Sequence, residues 1–354
     1  MDPKQELNSL IETAVQQDGS DIHIGVGRYP SLRVTGELVQ LVKHTPHTKE
    51  MVLGILSELL LHNETKINAF LSEQEVDFSF DYEGKVRLRG NAFFTKGNIS
   101  IALRIIPKVR TLEDLALPAI LNEFASRRQG FFLVVGPVGQ GKSTTMAAMV
   151  DHINTERAEH IVTIEDPIEY LHEPKRSIID QREVGIDSKS FESALKSVFR
   201  EDVNVILIGE MRSAETIATA VTAAETGHLV ISTLHTNNAA QTIDRIIDAF
   251  PGNQQDQIRV QLASSLIGIF SQRLIPKTTG GLVPAYELLI NNAAVANLIR
   301  ERRTHEIGVV IETGFGDGMI DMNRSLLDLV RRGEITMEKA FAHSINPKAL
   351  ERLV

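Results

Sequence analysis

The chain has 354 residues, 42% hydrophobic and 23% charged, which suits about two globular domains and excludes a disordered chain. It has no cysteine, which excludes a disulfide framework and any thiolate metal site. Its formal net charge of −9 argues against tight, nonspecific binding of nucleic acid, and an aromatic content of 5% leaves little stacking surface for single strands.

The opening MDPKQELNSLIETAV does not read as a signal peptide, and no apolar run approaches the ~18 residues needed to cross a bilayer. Membrane contact is therefore expected only through partners. Leu7, Leu10, Ile11 and Ala14 predict a helix over Asp2 to Gln16. Alternation predicts strands at Asp21 to Ile24 and Leu32 to Val34, and a second helix follows over Met51 to Leu61. Val76 to Tyr82, Val86 to Phe94 and Asn98 to Ile106 read as an antiparallel meander. In its last strand Ile99, Ile101, Leu103 and Ile105 share one face and Arg104 takes the other. These segments make a smaller α+β domain over residues 1–108. Residues 109–118, within the stretch Pro107 to Pro118, read as a linker to a second domain over 119–354.

There the pattern becomes strand, helix, strand, helix. Gly130 to Val135, His160 to Ile164, Val203 to Ile208 and Leu229 to Thr233 are apolar runs expected of buried parallel strands. Ser143 to Ile153 and Phe191 to Arg200 read as helices, the latter with Phe191, Ala194, Leu195, Val198 and Phe199 on one face. The alternation predicts an α/β domain with helices on both faces of a mostly parallel sheet, and beyond about residue 255 a mainly helical region.

The chemistry concentrates in this second domain. Gly136-x4-Gly141-Lys142-Ser143 is a complete Walker A pattern between a buried strand and a helix. Gly136, Pro137, Val138, Gly139, Gln140, Gly141, Lys142, Ser143 and Thr144 would wrap the phosphates of ATP, with Lys142 at the β/γ-phosphates and Ser143 on Mg²⁺. Val205 to Glu210 has the form of a Walker B strand ending in an acid, so Glu210 is placed at the metal shell or at the attacking water. Glu165, Asp166 and Glu169 form a second acidic cluster after a strand. That cluster is either a solvated acidic loop or, with Glu165 and Asp166, part of the water and metal site. His228 and His235 bracket a strand, as a structural pair or with one reading the γ-phosphate. Arg87, Arg89 and Arg104 sit on polar strand faces of the first domain. They are solvated surface arginines, or they reach the nucleotide of a neighbouring subunit.

Taken together these motifs resemble the PilT family of type IV pilus retraction ATPases, within the secretion ATPase superfamily, from about Ser20 to about Ala342. Ser20 to Ile24 (SDIHI) is similar to that family's opening motif, Gly136 to Thr144 to its Walker A, and Thr163 to Tyr170 (TIEDPIEY) to its aspartate box. Leu207 to Arg212 (LIGEMR), followed by Glu215-Thr216, matches its Walker B, and Gly227-His228 with Thr233 to Asn237 (TLHTN) its histidine box. The resemblance implies a PAS-like first domain, a RecA-like second domain, and a hexameric ring with nucleotide between the domains and Arg87, Arg89 and Arg104 closing over it. It further implies a catalytic set of Glu165, Glu210 and His235, and a motor that works on an inner-membrane platform protein from the cytoplasmic face. A four-cysteine insertion of the related extension and secretion motors is absent, and Ala294 to Glu301 (AVANLIRE) keeps the tail of the retraction helix. Departures from the family pattern are Val138 and Gln140, Val203 and Asn204, Ser213, Ala296 and Lys96-Gly97. They leave a second reading open, a non-hydrolysing nucleotide-gated adaptor or an accessory retraction ATPase.

Overall fold

The computed structural model describes residues 2–84 and 86–354, and these fall into two compact units, Met1–Lys108 and Val109–Val354. In the first unit, α1 (Pro3–Gln16) precedes β1 (Gly19–Gly25), β2 (Ser31–Val34) and β3 (Glu37–Gln40). Then come α2 (Lys49–Leu59), α3 (Glu64–Glu73), β4 (Glu75–Tyr82), β5 (Val86–Thr95) and β6 (Asn98–Ile105). The six strands form one antiparallel sheet in the order β3-β2-β1-β6-β5-β4. Leu7, Leu10 and Ile11 of α1 and Val52, Ile55 and Leu56 of α2 are buried with Ile22, Ile24, Ile101 and Leu103 of the sheet in one core. Asp2 starts α1 by accepting from Gln5 N, and Pro3 sits at the first helical position, where its missing N–H costs nothing. Two elements go beyond the sequence-based expectation: β3, an edge strand exposed along its whole length, and α3.

The second unit opens with residues 109–119, which contain neither helix nor strand but bury Leu112 and Leu117 against its core. Its elements are α4 (Ile120–Ala125), β7 (Gly130–Val135), α5 (Lys142–Glu156), β8 (His160–Glu165), β9 (Ile178–Glu183), α6 (Phe191–Val198), β10 (Val205–Ile208) and α7 (Ala214–Glu225). There follow β11 (Leu229–Leu234), α8 (Ala239–Asp248), α9 (Gln255–Ser265), β12 (Leu266–Pro276) and β13 (Leu282–Ile290). The chain ends with α10 (Ala293–Arg300), α11 (Ile307–Thr313), α12 (Met322–Arg331), α13 (Met337–His343) and α14 (Pro347–Glu351). The sheet runs β13-β12-β7-β11-β10-β8-β9, parallel throughout except for the β12–β13 pair. Every residue of β7, β10 and β11 is buried, as a strand covered on both faces requires. One face packs Phe131, Ile206 and Val230 against α6 to α11. The other packs Phe132, Leu207 and Ile231 against α4 and α5.

Two expectations are corrected. The region after residue 255 is not mainly helical at once, because β12 and β13 extend the sheet beyond β7 before the terminal helices begin. An apolar stretch such as LIGIF, buried on both faces, has no period that separates strand from buried helix. Phe199 is not on the buried face of α6. That helix ends at Val198, and Phe199 stands 41% exposed with its ring edge-on to His228. Ala296, by contrast, is buried in α10 among the core residues, so a small side chain fits where the family carries arginine.

Candidate functional site

The site is built at the carboxyl ends of β7, β11, β10 and β8, where parallel strands hand their loops to a common crevice. β7 leads into the glycine loop, and α5 begins at Lys142. Gly136 has φ +150°, and a Cβ there would lie 2.4 Å from Gln272 O on β12, so no side chain is tolerated. Gly141 has φ +78° at the N-cap of α5. The N–H groups of the first turn that follows have no intrahelical partners and form an anion cradle.

β12 also accounts for one departure from the family pattern. Gln140 Oε1 accepts from Leu274 N at 2.7 Å, while Gln272 Nε2 donates to Gln140 O at 2.9 Å and Gln272 Oε1 accepts from Thr145 Oγ1 at 2.6 Å. The glutamine ties the loop to the neighbouring strand by its side chain and leaves the backbone donors free. Val138 stands at the tip of the loop, 79% exposed. Nothing in the structure explains its identity.

Lys142, Glu210 and His235, expected to act together, are together. The buried Lys142 Nζ donates to Pro137 O at 3.0 Å and to His235 Nδ1 at 3.1 Å. Burial pushes this ammonium below the usual lysine range, against the pull of Glu210 and Glu169. A lysine only donates, so Nδ1 accepts and the ring proton sits on Nε2. Nε2 faces Glu210 Oε1 at 3.5 Å, and Glu210 Oε2 accepts from Arg212 at 2.8 and 3.0 Å. The result is a row, Lys142–His235–Glu210–Arg212, lying across the loop ends.

Glu165, at the end of β8, is committed differently. Its Oε1 accepts from Thr163 Oγ1 at 2.7 Å and Gln181 Nε2 at 3.3 Å, and its Oε2 from Glu169 N at 3.3 Å. Burial pushes this carboxyl up, although these bonds pull the other way. Asp166 and Glu169 are exposed. Thr144 Oγ1 and Tyr170 OH, 2.8 Å apart, join α5 to the loop after β8. Ser143 is half-buried beside Lys142 in the first turn of α5.

His228 is not part of this arrangement. It sits at the opposite end of β11, where Nδ1 lies 3.0 Å from Ala223 O. Two further departures keep a hydrogen-bonding role: Ser213 caps α7 by accepting from Thr216 N and donates to Glu192, and Asn204 Oδ1 accepts from His160 N. The three arginines lie in the first unit. Arg89 and Arg104 face each other directly across β5 and β6, and Arg104 Nε donates to Asp21 Oδ1 on β1 at 2.9 Å. Like charges in register repel. Asp21, Asp77, Asn91 and both arginines line a cavity of about 280 Å³. Arg87 is opposite Asp81 on β4.

Sequence reasoning missed Gln272 and Glu287. Glu287, on β13 and 8% exposed, accepts from Ala239 N at the start of α8 at 2.8 Å and from Ser271 Oγ at 3.4 Å, and so steadies the segment that follows His235. Burial pushes its carboxyl up to about 7 from an ordinary 4.5. As pH rises past 4.5 the unfolded chain gives up a proton that the folded chain keeps, so stability falls between about pH 4.5 and 7 and stays lower above. Glu287→Gln keeps the acceptor for Ala239 and removes that dependence. In urea denaturation it is expected to stabilise the chain by up to about 3 kcal/mol at pH 8 and by almost nothing at pH 4. Equal effects at the two pH values would show that the group does not titrate in this range.

The family described as type II/IV secretion system protein matches residues 3–304. The chain is 41% identical over 336 residues to the type IV pilus retraction ATPase PilT of Pseudomonas aeruginosa, covering 95% of this chain and 97% of that one. It is 39% identical over 355 residues to the type IV pilus ATPase PilU of the same organism, covering 99% and 91%. The crystal structure of the pilus retraction motor PilT with bound ADP superposes with a TM-score of 0.90 at 44% identity, covering 97% of this chain and 98% of that one. With its parallel sheet and loop-bound lysine also in place, the chain belongs to the type II/IV secretion system protein family, among the PilT-type pilus retraction ATPases.

Proposed function

We propose that this chain is the ATP-hydrolysing subunit of a hexameric motor that retracts a type IV pilus, working at the cytoplasmic face of the inner membrane on a platform protein. The observation that carries the hydrolytic part is the row from Lys142 through His235 to Glu210 beneath the glycine loop. Retraction rests on the likeness to PilT over nearly the whole of both chains. No helix among the described residues is long and apolar enough to span a membrane.

The chemistry follows from the side chains. The loop N–H groups and Lys142 take the phosphates of ATP, and Lys142 exchanges Pro137 O and His235 Nδ1 for phosphate oxygens. That exchange frees His235 Nδ1, so His235 reports whether the terminal phosphate is present. Ser143 and Glu210 offer hard oxygen donors that fit Mg²⁺, which keeps most of its shell as water and phosphate oxygens. When bound, that ion neutralises charge building on the phosphates. Both oxygens of Glu165 already accept hydrogen bonds, whereas among the described residues Glu210 Oε1 has only the 3.5 Å approach of His235. We therefore assign the water and metal shell to Glu210 and the ordering of the loop after β8 to Glu165. Arg87, Arg89 and Arg104 are the cations that a neighbouring subunit offers to the transition state. Two like charges held in register are relieved by an anion.

Deleting the gene tests the direction of work. More surface pili that no longer shorten are expected, and fewer pili would mean extension. The similar identities to PilT and PilU favour one second reading, an accessory retraction ATPase. In that case pilus number changes little while retraction against load weakens.

A further inference from the structure

Among the described residues, one buried hydroxyl, that of Thr233, is left without a partner and unused by the proposed chemistry. Thr233 is the fifth residue of β11, the strand between β7, which carries the glycine loop, and β10, which carries Glu210. It is 4% exposed, and its Oγ1 is buried with no hydrogen-bond partner among the described residues. Its neighbour Ser232 points to the other face, and there Oγ donates to Ile208 O at 2.9 Å. The fold thus satisfies one of two adjacent hydroxyls in the strand and leaves the other open. Buried polar groups without a partner are few in native proteins, and each calls for a reason.

Residues two apart in a strand share a face, which fixes where Thr233 points. Ile231 packs with Met146 and Met149 of α5 in one core, and His235, just past the strand, reaches Lys142 Nζ. Thr233 lies between them on that side, level with Val134 of β7, and so faces the start of α5 beneath the glycine loop. The open hydroxyl is therefore directed at the place where the proposed function puts the terminal phosphate.

We propose that Thr233 Oγ1 hydrogen-bonds the γ-phosphate of bound ATP, so that the site distinguishes ATP from ADP by filling or leaving open one buried hydroxyl. The ammonium of Lys142 serves the phosphates in general, whereas Thr233 serves only the one that is lost on hydrolysis. The proposal rests on the nucleotide reading of the site.

The test is Thr233→Val in the full chain, an exchange of similar shape that removes only the hydroxyl. Affinity for a non-hydrolysable ATP analogue with Mg²⁺ is expected to fall ~10–100-fold, the worth of a hydrogen bond to a charged group, and turnover to fall with it. ADP affinity should hold. The Tm without nucleotide should hold or rise, since an unmet buried hydroxyl is being removed. Thr233→Ser should restore both ATP-analogue binding and turnover, and Thr233→Ala should repeat the valine result should the valine chain fail to fold. Unchanged analogue affinity and turnover would overturn the proposal. So would an equal loss of ADP and analogue binding with a lowered Tm, which marks a structural role, or a serine chain as impaired as the valine one. If the native chain binds neither nucleotide, the nucleotide reading itself falls. If it binds both and the valine exchange does not separate them, only the role of Thr233 falls.

Discussion

Glu210→Gln is expected to bind nucleotide as the native chain does and to lower ATP turnover by ~10²–10⁴-fold, the range for a positioned proton acceptor. The shape of the side chain is kept, and the Arg212 partner it loses is exposed, so that pair is worth at most ~1 kcal/mol of stability. Phosphate release measured beside ADP binding separates the two effects. Native turnover in this variant would remove Glu210 from the chemistry and return the role to Glu165, whose carboxyl is held up by burial. The expectation favours Glu210 because Glu165 is already bonded through both oxygens, to Thr163 and Gln181 on one side and to Glu169 N on the other.

Arg104→Ala is expected to lower turnover further still, by ~10³–10⁵-fold, if its guanidinium stabilises the charge that phosphoryl transfer builds. Nucleotide affinity should hold, because the lysine and the glycine loop lie in the other unit. In the folded first unit Arg104 is held by Asp21, whose carboxyl lies below its ordinary range. Burial opposes that shift, and the hydrogen bonds from Ser20 and Arg104 outweigh it. Losing Arg104 leaves Asp21 with Arg33 at 4.0 Å, so the local structure should survive and the comparison stays clean. Turnover equal to that of the native chain would reduce the Arg89–Arg104 pair to ordinary surface charge.

The order of the chain's motifs made much of the site legible in advance. Gly136 to Ser143 needs only a strand before it and a helix after it, and both are local. The buried strands β7, β10 and β11 announced themselves as short apolar runs because both of their faces are covered. Two edge strands, β3 and β9, did not. ELVQ and IIDQRE are short and polar, and they are strands because a neighbouring strand offers them a ladder. β12 and β13 were hidden for the opposite reason, since burial on both faces erases the alternation that marks a strand.

By itself, then, the sequence determined a Walker A loop, candidate acids and candidate histidines downstream of it, and the family in which that set occurs, because these depend on residue type at short spacing. Only the tertiary structure decided how they are used. Gln140 is a tether because Leu274, 134 residues away, presents its N–H. Glu165 and Glu210 part company because their surroundings, and not their identities, fill or free their oxygens. His235 carries its proton on Nε2 because a lysine from another strand's loop can only donate to it. Thr233 is singled out from Ser232 because one hydroxyl meets a carbonyl and the other meets no partner among the described residues. Hydrogen-bond partners distant in the chain are set by strand order and register, and no local pattern of residues encodes them.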